Sequence, residues 1–251
     1  SRGLGDVYKR QILLQTKFIQ REKIMINSAP RFAVVLSGCG VFDGSEIHEA
    51  VLTMLAIDEA GGEYRCFAPN TWQAKTVDHF TGQATALAGD DDNRNVLAES
   101  ARIARGDVKD LAEFDPKEFD AIVFPGGFGA AMNWSNFAVK GPDCEINKEV
   151  EKAIRAAYEN GLVIGAMCIA PVVIARVLGK HKIAVTIGTD PAIGTGIEKM
   201  GAVHEPKGML DVCVDEDNKI VTTPAYMLGK TIKDIRRGTQ NLIDEIINLI
   251  D

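Results

Sequence analysis

Short apolar runs alternate with segments of helical periodicity along most of the chain. Phe32 to Leu36 (FAVVL) is fully apolar, and after a glycine-rich turn apolar residues recur at helical spacing from Ile47 to Leu55. Alternation of this kind is typical of β-α-β crossovers, which place parallel strands in one sheet. We therefore predict an α/β fold, doubly wound, with a mainly parallel sheet and helices on both faces.

The same pattern extends to the C-terminus. It predicts further strands at 64–67, 121–124, 162–166, 182–187, 211–214 and 220–223, and helices at 95–105, 147–160, 170–178 and 232–250. Residues 69–95 break this rhythm with proline, glycine and a run of aspartates, so we expect a long loop or a small excursion there.

Composition limits the classes of partner. The chain has 251 residues, of which 46% are hydrophobic and 25% charged, as in an ordinary globular domain. A net charge of −7 gives no basic surface for nucleic acid, so we expect none as a partner. Since no apolar run reaches the roughly 18 residues that span a bilayer, we expect no membrane association and a cytoplasmic protein.

The first 24 residues differ in charge from the rest. They carry six Lys/Arg against two acidic residues, and the segment SRGLGDVYKRQ resembles translated linker sequence. We interpret residues 1–24 as a non-native or disordered extension and residues 25–251 as one domain. The alternative is a basic targeting presequence, which the acidic residues and the scarcity of serine do not favour.

Cysteine and histidine spacing gives no sign of a metal site. The five cysteines are odd in number, scattered and never arranged as Cys-x-x-Cys, and the four histidines are isolated from one another. This usage is typical of a reducing compartment and of a protein without structural zinc. We therefore expect neither metal nor cofactor.

One cysteine occupies a distinctive position. Cys168 follows the predicted strand 162–166 directly and precedes a helix that opens near Pro171, with Ala166 and Ala170 two residues to either side. Small neighbours and a strand-to-helix turn are typical of a nucleophile elbow, where the helix dipole and free N–H groups are expected to lower the thiol pKa. The alternatives are a buried structural cysteine, or Cys39 in its glycine-rich turn as the nucleophile.

Three unusual strand ends are expected to meet at one edge of the sheet. They are residues 37–44, residues 125–129 and Cys168, and ligands of open α/β sheets bind beside such carboxyl ends. An N–H of Gly126 or Gly127, with that of Ile169, could bind an oxyanion formed by attack of the thiolate. The alternative is that Gly126 and Gly127 form an ordinary tight turn.

Two carboxyls open the first helix at the same edge. Ser45 could cap this helix, and Glu46 and Glu49 lie three residues apart on one of its faces. A carboxyl beside the thiol would have a raised pKa and could shuttle a proton. Alternatively, both glutamates only complement the helix dipole on a solvated face. His48 points elsewhere on the helix, and we expect it at the surface.

Five segments in order resemble one known family. They are 37–50 (SGCGVFDGSEIHEA), 125–130 (PGGFGA), 167–171 (MCIAP), 186–190 (TIGTD) and 214–226 (VDEDNKIVTTPAY). From about residue 31 to the end, the chain resembles the ElbB-type isoprenoid-biosynthesis glyoxalases of the PfpI and class I glutamine amidotransferase-like superfamily. The resemblance implies a flavodoxin-like, amidotransferase-like fold, a homodimer, and a glutathione-independent glyoxalase that converts glyoxal, a small aldehyde substrate, to glycolate.

The resemblance also implies a glutamate beside the thiol. Glu49 matches the family's carboxyl best by its spacing to the glycine that ends the helix, and Glu46 is second. Many PfpI-type relatives have histidine directly after the cysteine, where this chain has Ile169. The expected chemistry is therefore a hemithioacetal on Cys168 with Glu49 as the proton carrier.

Other functions remain as alternatives. Glutamine hydrolysis would need a His-x-Glu sequence to activate the cysteine, but the candidates read His204-Glu205-Pro206 and His181-Lys182-Ile183. A non-catalytic redox sensor that oxidises Cys168 and acts by partner binding is not excluded by any residue. Dinucleotide binding at residues 38–44 is set aside, because the third glycine is one position late for the Gly-x-Gly-x-x-Gly pattern.

Overall fold

The computed structural model describes residues 29–250 of the chain. The interpretation of residues 1–24 as an extension therefore lies outside the described residues. Within this range the strands are β1 (Arg31–Val35), β2 (Glu63–Ala68), β3 (Lys75–Asp78), β4 (Gln83–Leu87), β5 (Val108–Asp110), β6 (Ala121–Phe124), β7 (Val163–Met167), β8 (Ala184–Val185), β9 (Val203–His204), β10 (Cys213–Asp215) and β11 (Ile220–Thr223).

Seven of these strands form the central sheet. Their spatial order is β10-β11-β7-β6-β1-β2-β5, and every neighbouring pair is parallel except β10 with β11. Parallel neighbours need crossover connections, and helices supply most of them here. The helices are α1 (Ile47–Glu59), α2 (Val96–Ile103), α3 (Phe128–Met132), α4 (Phe137–Lys140), α5 (Lys148–Glu159), α6 (Pro171–Leu178), α7 (Pro191–Lys199) and α8 (Ile232–Leu249).

Both faces of the sheet are buried. Along β1, Phe32 and Val34 belong to a core shared with α1 and α8, whereas Ala33 and Val35 belong to a core shared with α5 and α6. Successive side chains of a strand point to opposite faces, so this one apolar run serves two cores. The prediction of a doubly wound, mainly parallel α/β fold is confirmed.

Two predicted regions differ from the structure. The predicted strand 182–187 shortens to β8, which pairs with β9 outside the central sheet, because β10 occupies the edge beside β11. Residues 69–95 contain the β3–β4 hairpin, whose register shifts between Thr76 and Val77. Its strands have four and five residues and include several polar side chains, so the sequence carried no clear period-two signal.

The sheet order determines where the site can form. Strand β6 lies between β1 and β7, and all three strands run in the same direction. Their carboxyl ends therefore lie side by side, and the turns that follow Val35, Phe124 and Met167 meet at one edge of the sheet.

Candidate active site

Cys168 stands on a tight turn between β7 and α6. Its φ angle is +59°, in the left-handed region that non-glycine residues seldom adopt, and its N–H donates to the carbonyl of Thr223 at 3.0 Å. Ala166 and Ala170 are fully buried on either side, and Pro171 is the first residue of α6. A strained cysteine held between a strand and a helix is the geometry of a nucleophile elbow.

Two main-chain donors point at the sulfur. The N–H groups of Gly127 and Ile169 both donate to the Cys168 thiol. Gly127 has a φ of +104°, and a β-carbon there would overlap the carbonyl oxygen of Gly44 and the nitrogen of Glu46. Only glycine fits this position, which keeps the N–H directed at the place where an oxyanion would form beside the sulfur.

Glu49 is the carboxyl that contacts the thiol. It is fully buried in the first turn of α1 and is hydrogen bonded to the side chain of Cys168. The N–H of Gly126 donates to Oε2 at 2.9 Å, and the N–H of Tyr226 donates to Oε1 at 3.1 Å. A β-carbon on Gly126 would overlap that of Cys168, so this glycine permits the close approach of carboxyl and thiol.

Burial dominates the titration of this pair. It raises the pKa of Glu49 to about 8, against the opposing effect of the Tyr226 N–H. Burial also raises the pKa of Cys168 well above its usual value, followed by the charge of Glu49, and outweighs the N–H groups of Gly127 and Ile169. The sequence prediction of a lowered thiol pKa is therefore wrong, because only 8% of this cysteine is exposed. Proton transfer to the neighbouring carboxyl would have to create the thiolate.

Glu46 has a different task from Glu49. It is the N-cap residue of α1, and its Oε2 accepts from the N–H of Glu49 at 2.7 Å. The expected capping residue, Ser45, instead accepts from the N–H of Ser37 at 2.8 Å, so that prediction was wrong. Of the three residues predicted for an oxyanion site, two have N–H groups that donate to the Cys168 sulfur, namely Gly127 and Ile169. The N–H of the third, Gly126, donates to Glu49 instead.

Sequence reasoning missed the contribution of Tyr226 and the partner of His48. Nδ1 of His48 lies 2.8 Å from the hydroxyl of Tyr226 and 3.7 Å from Oε1 of Glu46. The His48 side chain is 49% exposed, in line with its expected surface position. Tyr226 lies in one of the five family segments, but its partner is 178 positions away. No local pattern could have predicted that contact.

Cys39 lies in a different environment. It is partly exposed in the glycine-rich turn after β1, where its backbone bridges to Ser45. Burial, and then the charge of Glu99, raises the pKa of its thiol. Within residues 29–250 its thiol lacks the two main-chain donors and the hydrogen-bonded carboxyl that Cys168 has, and Cys39 is therefore the weaker candidate nucleophile.

Within residues 29–250 no group of three or more His, Cys, Asp or Glu side chains is placed to hold a metal ion. No helix in the same range is both long and apolar enough to cross a membrane.

Similar proteins were found by sequence. No family model matches the chain. It is 44% identical over 230 residues to the human "Glutamine amidotransferase-like class 1 domain-containing protein 3, mitochondrial", covering 88% of this chain and 84% of the relative. It is 42% identical over 236 residues to the rat "ES1 protein homolog, mitochondrial", covering 89% and 86% respectively.

Solved structures show the same relationship. An isoprenoid biosynthesis protein with an amidotransferase-like domain from Ehrlichia chaffeensis superposes with a TM-score of 0.82 and 39% identity, covering 89% of this chain and all of that one. The glyoxalase III of Candida albicans shares the fold at a TM-score of 0.55 and 17% identity, covering 88% and 98%. These similarities agree with the family resemblance that the five sequence segments carry.

The predicted cytoplasmic localisation is contradicted by these comparisons, because the human and rat relatives are mitochondrial. The prediction relied on the lack of an apolar run long enough to span a bilayer. Proteins of the cytosol and of the mitochondrial interior share that feature, so it cannot separate the two compartments.

Proposed function

The chain belongs to the class I glutamine amidotransferase-like family that includes the ES1 and ElbB-type proteins, and we propose that it is a cofactor-independent glyoxalase converting glyoxal to glycolate. The observation that supports this most is the convergence of a buried carboxyl and two main-chain N–H groups on the Cys168 sulfur. A nucleophile, an acid/base group and an oxyanion site are the parts that an internal redox rearrangement of a dicarbonyl requires.

The first step is addition of the thiol to one aldehyde carbon. Glu49, in its carboxylate form, takes the proton of Cys168 as the carbon–sulfur bond forms. The carbonyl oxygen becomes an alkoxide that the N–H groups of Gly127 and Ile169 can bind. Protonation of this alkoxide gives a hemithioacetal, which still carries the second aldehyde of glyoxal.

The second step moves hydrogen between the two carbons. Glu49 removes the proton from the sulfur-bearing carbon, and the other carbon receives a proton through an enediol, giving the thioester of glycolic acid. Water then attacks the thioester carbonyl, the carbon–sulfur bond breaks and the thiol regains its proton. The balance is one glyoxal and one water converted to one glycolate and one proton, with no external oxidant.

Glutamine hydrolysis is less well supported. The two histidines of the candidate activating sequences are engaged elsewhere: the ring of His181 lies 4.7 Å from that of Tyr158, and Nε2 of His204 accepts from the N–H of Ile187 at 3.5 Å. Redox sensing is also less well supported, because sensor cysteines are accessible and acidic, whereas Cys168 is buried with a raised pKa.

The test is to follow glyoxal and glutamine separately by proton NMR with the purified protein. We expect stoichiometric glycolate from glyoxal, and unchanged glutamine. Cys168→Ala should form no glycolate above the rate in buffer. Glutamate and ammonia from glutamine, with no glycolate from glyoxal, would overturn the proposal in favour of an amidotransferase.

A further inference from the structure

Two hydrogen bonds join neighbouring residues of α1 to a single tyrosine. The main-chain N–H of Tyr226 donates to Oε1 of Glu49, and the hydroxyl of Tyr226 lies 2.8 Å from Nδ1 of His48. Glu49 and His48 are adjacent in the first turn of α1, whereas Tyr226 is on the turn that follows β11. The tyrosine therefore clamps this turn onto the helix at two consecutive positions.

The turn needs such a clamp, because its backbone is strained. Ala225 has a φ of +43°, a left-handed conformation that is unfavourable for an L-residue, and its side chain is buried. Its carbonyl accepts from the N–H groups of Leu228 and Gly229. These local bonds close the turn, but they do not fix its distance from α1. The bonds from Tyr226 provide that connection.

The side-chain bond between Tyr226 and His48 involves a neutral phenol. Burial raises the pKa of Tyr226, and the charges of Glu46 and Glu49 raise it further. The phenol therefore keeps its proton at neutral pH, and its bond with Nδ1 of His48 can form in either direction, according to the imidazole tautomer. Oε1 of Glu46 lies 3.7 Å from the same nitrogen.

We propose that His48 and Tyr226 are positioning residues of the candidate site, which hold the Tyr226 N–H against the catalytic carboxyl of Glu49. The inference rests on the proposed function for the role of Glu49. Its consequence is electrostatic, because an N–H that donates to a carboxylate favours the charged form. Without the clamp, Glu49 loses part of this stabilisation and becomes a carboxylate only at higher pH.

The test compares Tyr226→Phe, His48→Ala and His48→Asn with the wild type. Asparagine places a polar amide near the position of Nδ1, so His48→Asn should restore most of the activity and most of the pH midpoint that His48→Ala changes. Tyr158→Phe is the matched control, because Tyr158 also donates to a side chain, Asn218 Oδ1 at 2.8 Å, and also packs against a histidine.

Two readouts are recorded for each variant across pH 6 to 10. One is glycolate formation, and the other is the ¹³C chemical shift of the Glu49 carboxyl carbon, assigned by its absence in Glu49→Gln. Tyr226→Phe and His48→Ala should each lower kcat/KM about 10-fold and move both pH midpoints upward by about 0.5–1 unit. The double variant should be little worse than either single variant, because both remove the same bond.

The outcomes separate this inference from the proposed function. If the wild type forms no glycolate, the glyoxalase proposal fails, but the midpoints of the Glu49 carboxyl still test the clamp. Unshifted midpoints in folded Tyr226→Phe and His48→Ala would overturn the inference, and so would an equal shift in Tyr158→Phe. An upward shift in both variants that His48→Asn reverses would support it.

Discussion

The inner pair, Cys168 and Glu49, contrasts with the outer rim, formed by the side chains of Glu46, His48 and Tyr226. The inner pair is buried and accepts hydrogen bonds from main-chain N–H groups. In the rim, the partly exposed side chains of His48 and Tyr226 are hydrogen bonded to each other, and Glu46 caps α1. Each region contains a glutamate at the start of α1. The surroundings of each glutamate, rather than its residue type, therefore decide its chemistry.

The two glutamates show the difference most directly. The Glu46 side chain is 11% exposed, and its carboxyl accepts from a main-chain N–H at the start of α1. The Glu49 side chain is fully buried, and burial raises its pKa to about 8. A carboxyl that changes charge near neutral pH suits acid/base catalysis, whereas a capping carboxyl stabilises the helix. Substitutions in the pair should therefore affect turnover, and those in the rim chiefly stability or pH dependence.

The largest expected effect is at the thiol. Cys168→Ala removes the atom that binds the substrate, so glycolate formation should fall by on the order of 10⁴-fold or more. The matched variant Cys39→Ala lies in the neighbouring turn at the same sheet edge, and it should keep activity within about twofold of the wild type, as expected of a cysteine outside the inner pair. Initial rates with glyoxal measure both. Equal losses in the two folded variants would show that the nucleophile has been misassigned.

The next effect concerns the carboxyl of the pair. Glu49→Gln removes the group that accepts and returns protons, so turnover should fall by roughly 10²–10⁴-fold. Glu46→Gln keeps an oxygen that can cap α1 and should lose much less. Circular dichroism and thermal melting establish that both are folded. A near-normal rate in Glu49→Gln would contradict a Cys-Glu mechanism, and a selective loss in Glu46→Gln would assign the proton transfer to the rim.

A third effect is on stability as a function of pH. Folded Glu49 keeps its proton up to a pKa of about 8, whereas the unfolded chain releases it near 4.5. The folded state thus binds more protons between these values, and the free energy of unfolding should fall as pH rises, by at most about 1.4 kcal/mol per unit. The stabilisation is complete below pH 4.5 and is lost as pH passes 8.

Urea unfolding at several pH values between 5 and 8.5 measures this slope. Glu49→Gln has no proton to release, so its slope should be shallower than that of the wild type, whatever its absolute stability. Glu46→Gln is the control in the rim and should keep the wild-type slope. Parallel slopes for the wild type and Glu49→Gln would show that Glu49 is already ionised in the folded protein.

Much of the framework could be predicted from the sequence. The apolar runs indicated β1, β6, β7 and β11 almost to the residue, because strands buried on both faces are continuous apolar segments. Cys168 and Glu49 were also predicted, since an elbow has a short local pattern and the family segment includes the glutamate. Their placement against each other follows from the adjacency of β1, β6 and β7.

What could not be predicted depends on contacts distant in the sequence. The bond between His48 and Tyr226 joins two elements without any shared local pattern. The predicted direction of the thiol pKa shift was wrong. The position of Cys168 before a helix indicates the nearby dipole, but only the packed structure shows how completely Cys168 and Glu49 are removed from water. The edge strand β10 has only three residues, and their sequence did not indicate that the strand is antiparallel to its neighbour.

The smallest expected effect is at the cap of α1. The carboxylate of Glu46 accepts from the N–H of Glu49, one of the donors that a helix leaves unpaired at its start. Glu46→Ala removes this acceptor and should cost about 0.5–2 kcal/mol, seen as a lower melting temperature, while Glu46→Gln should recover most of the loss. Because the cap holds the backbone of Glu49, Glu46→Ala should also reduce turnover modestly. A melting temperature unchanged in Glu46→Ala would mean that the cap contributes nothing, and that the rim matters only through His48 and Tyr226.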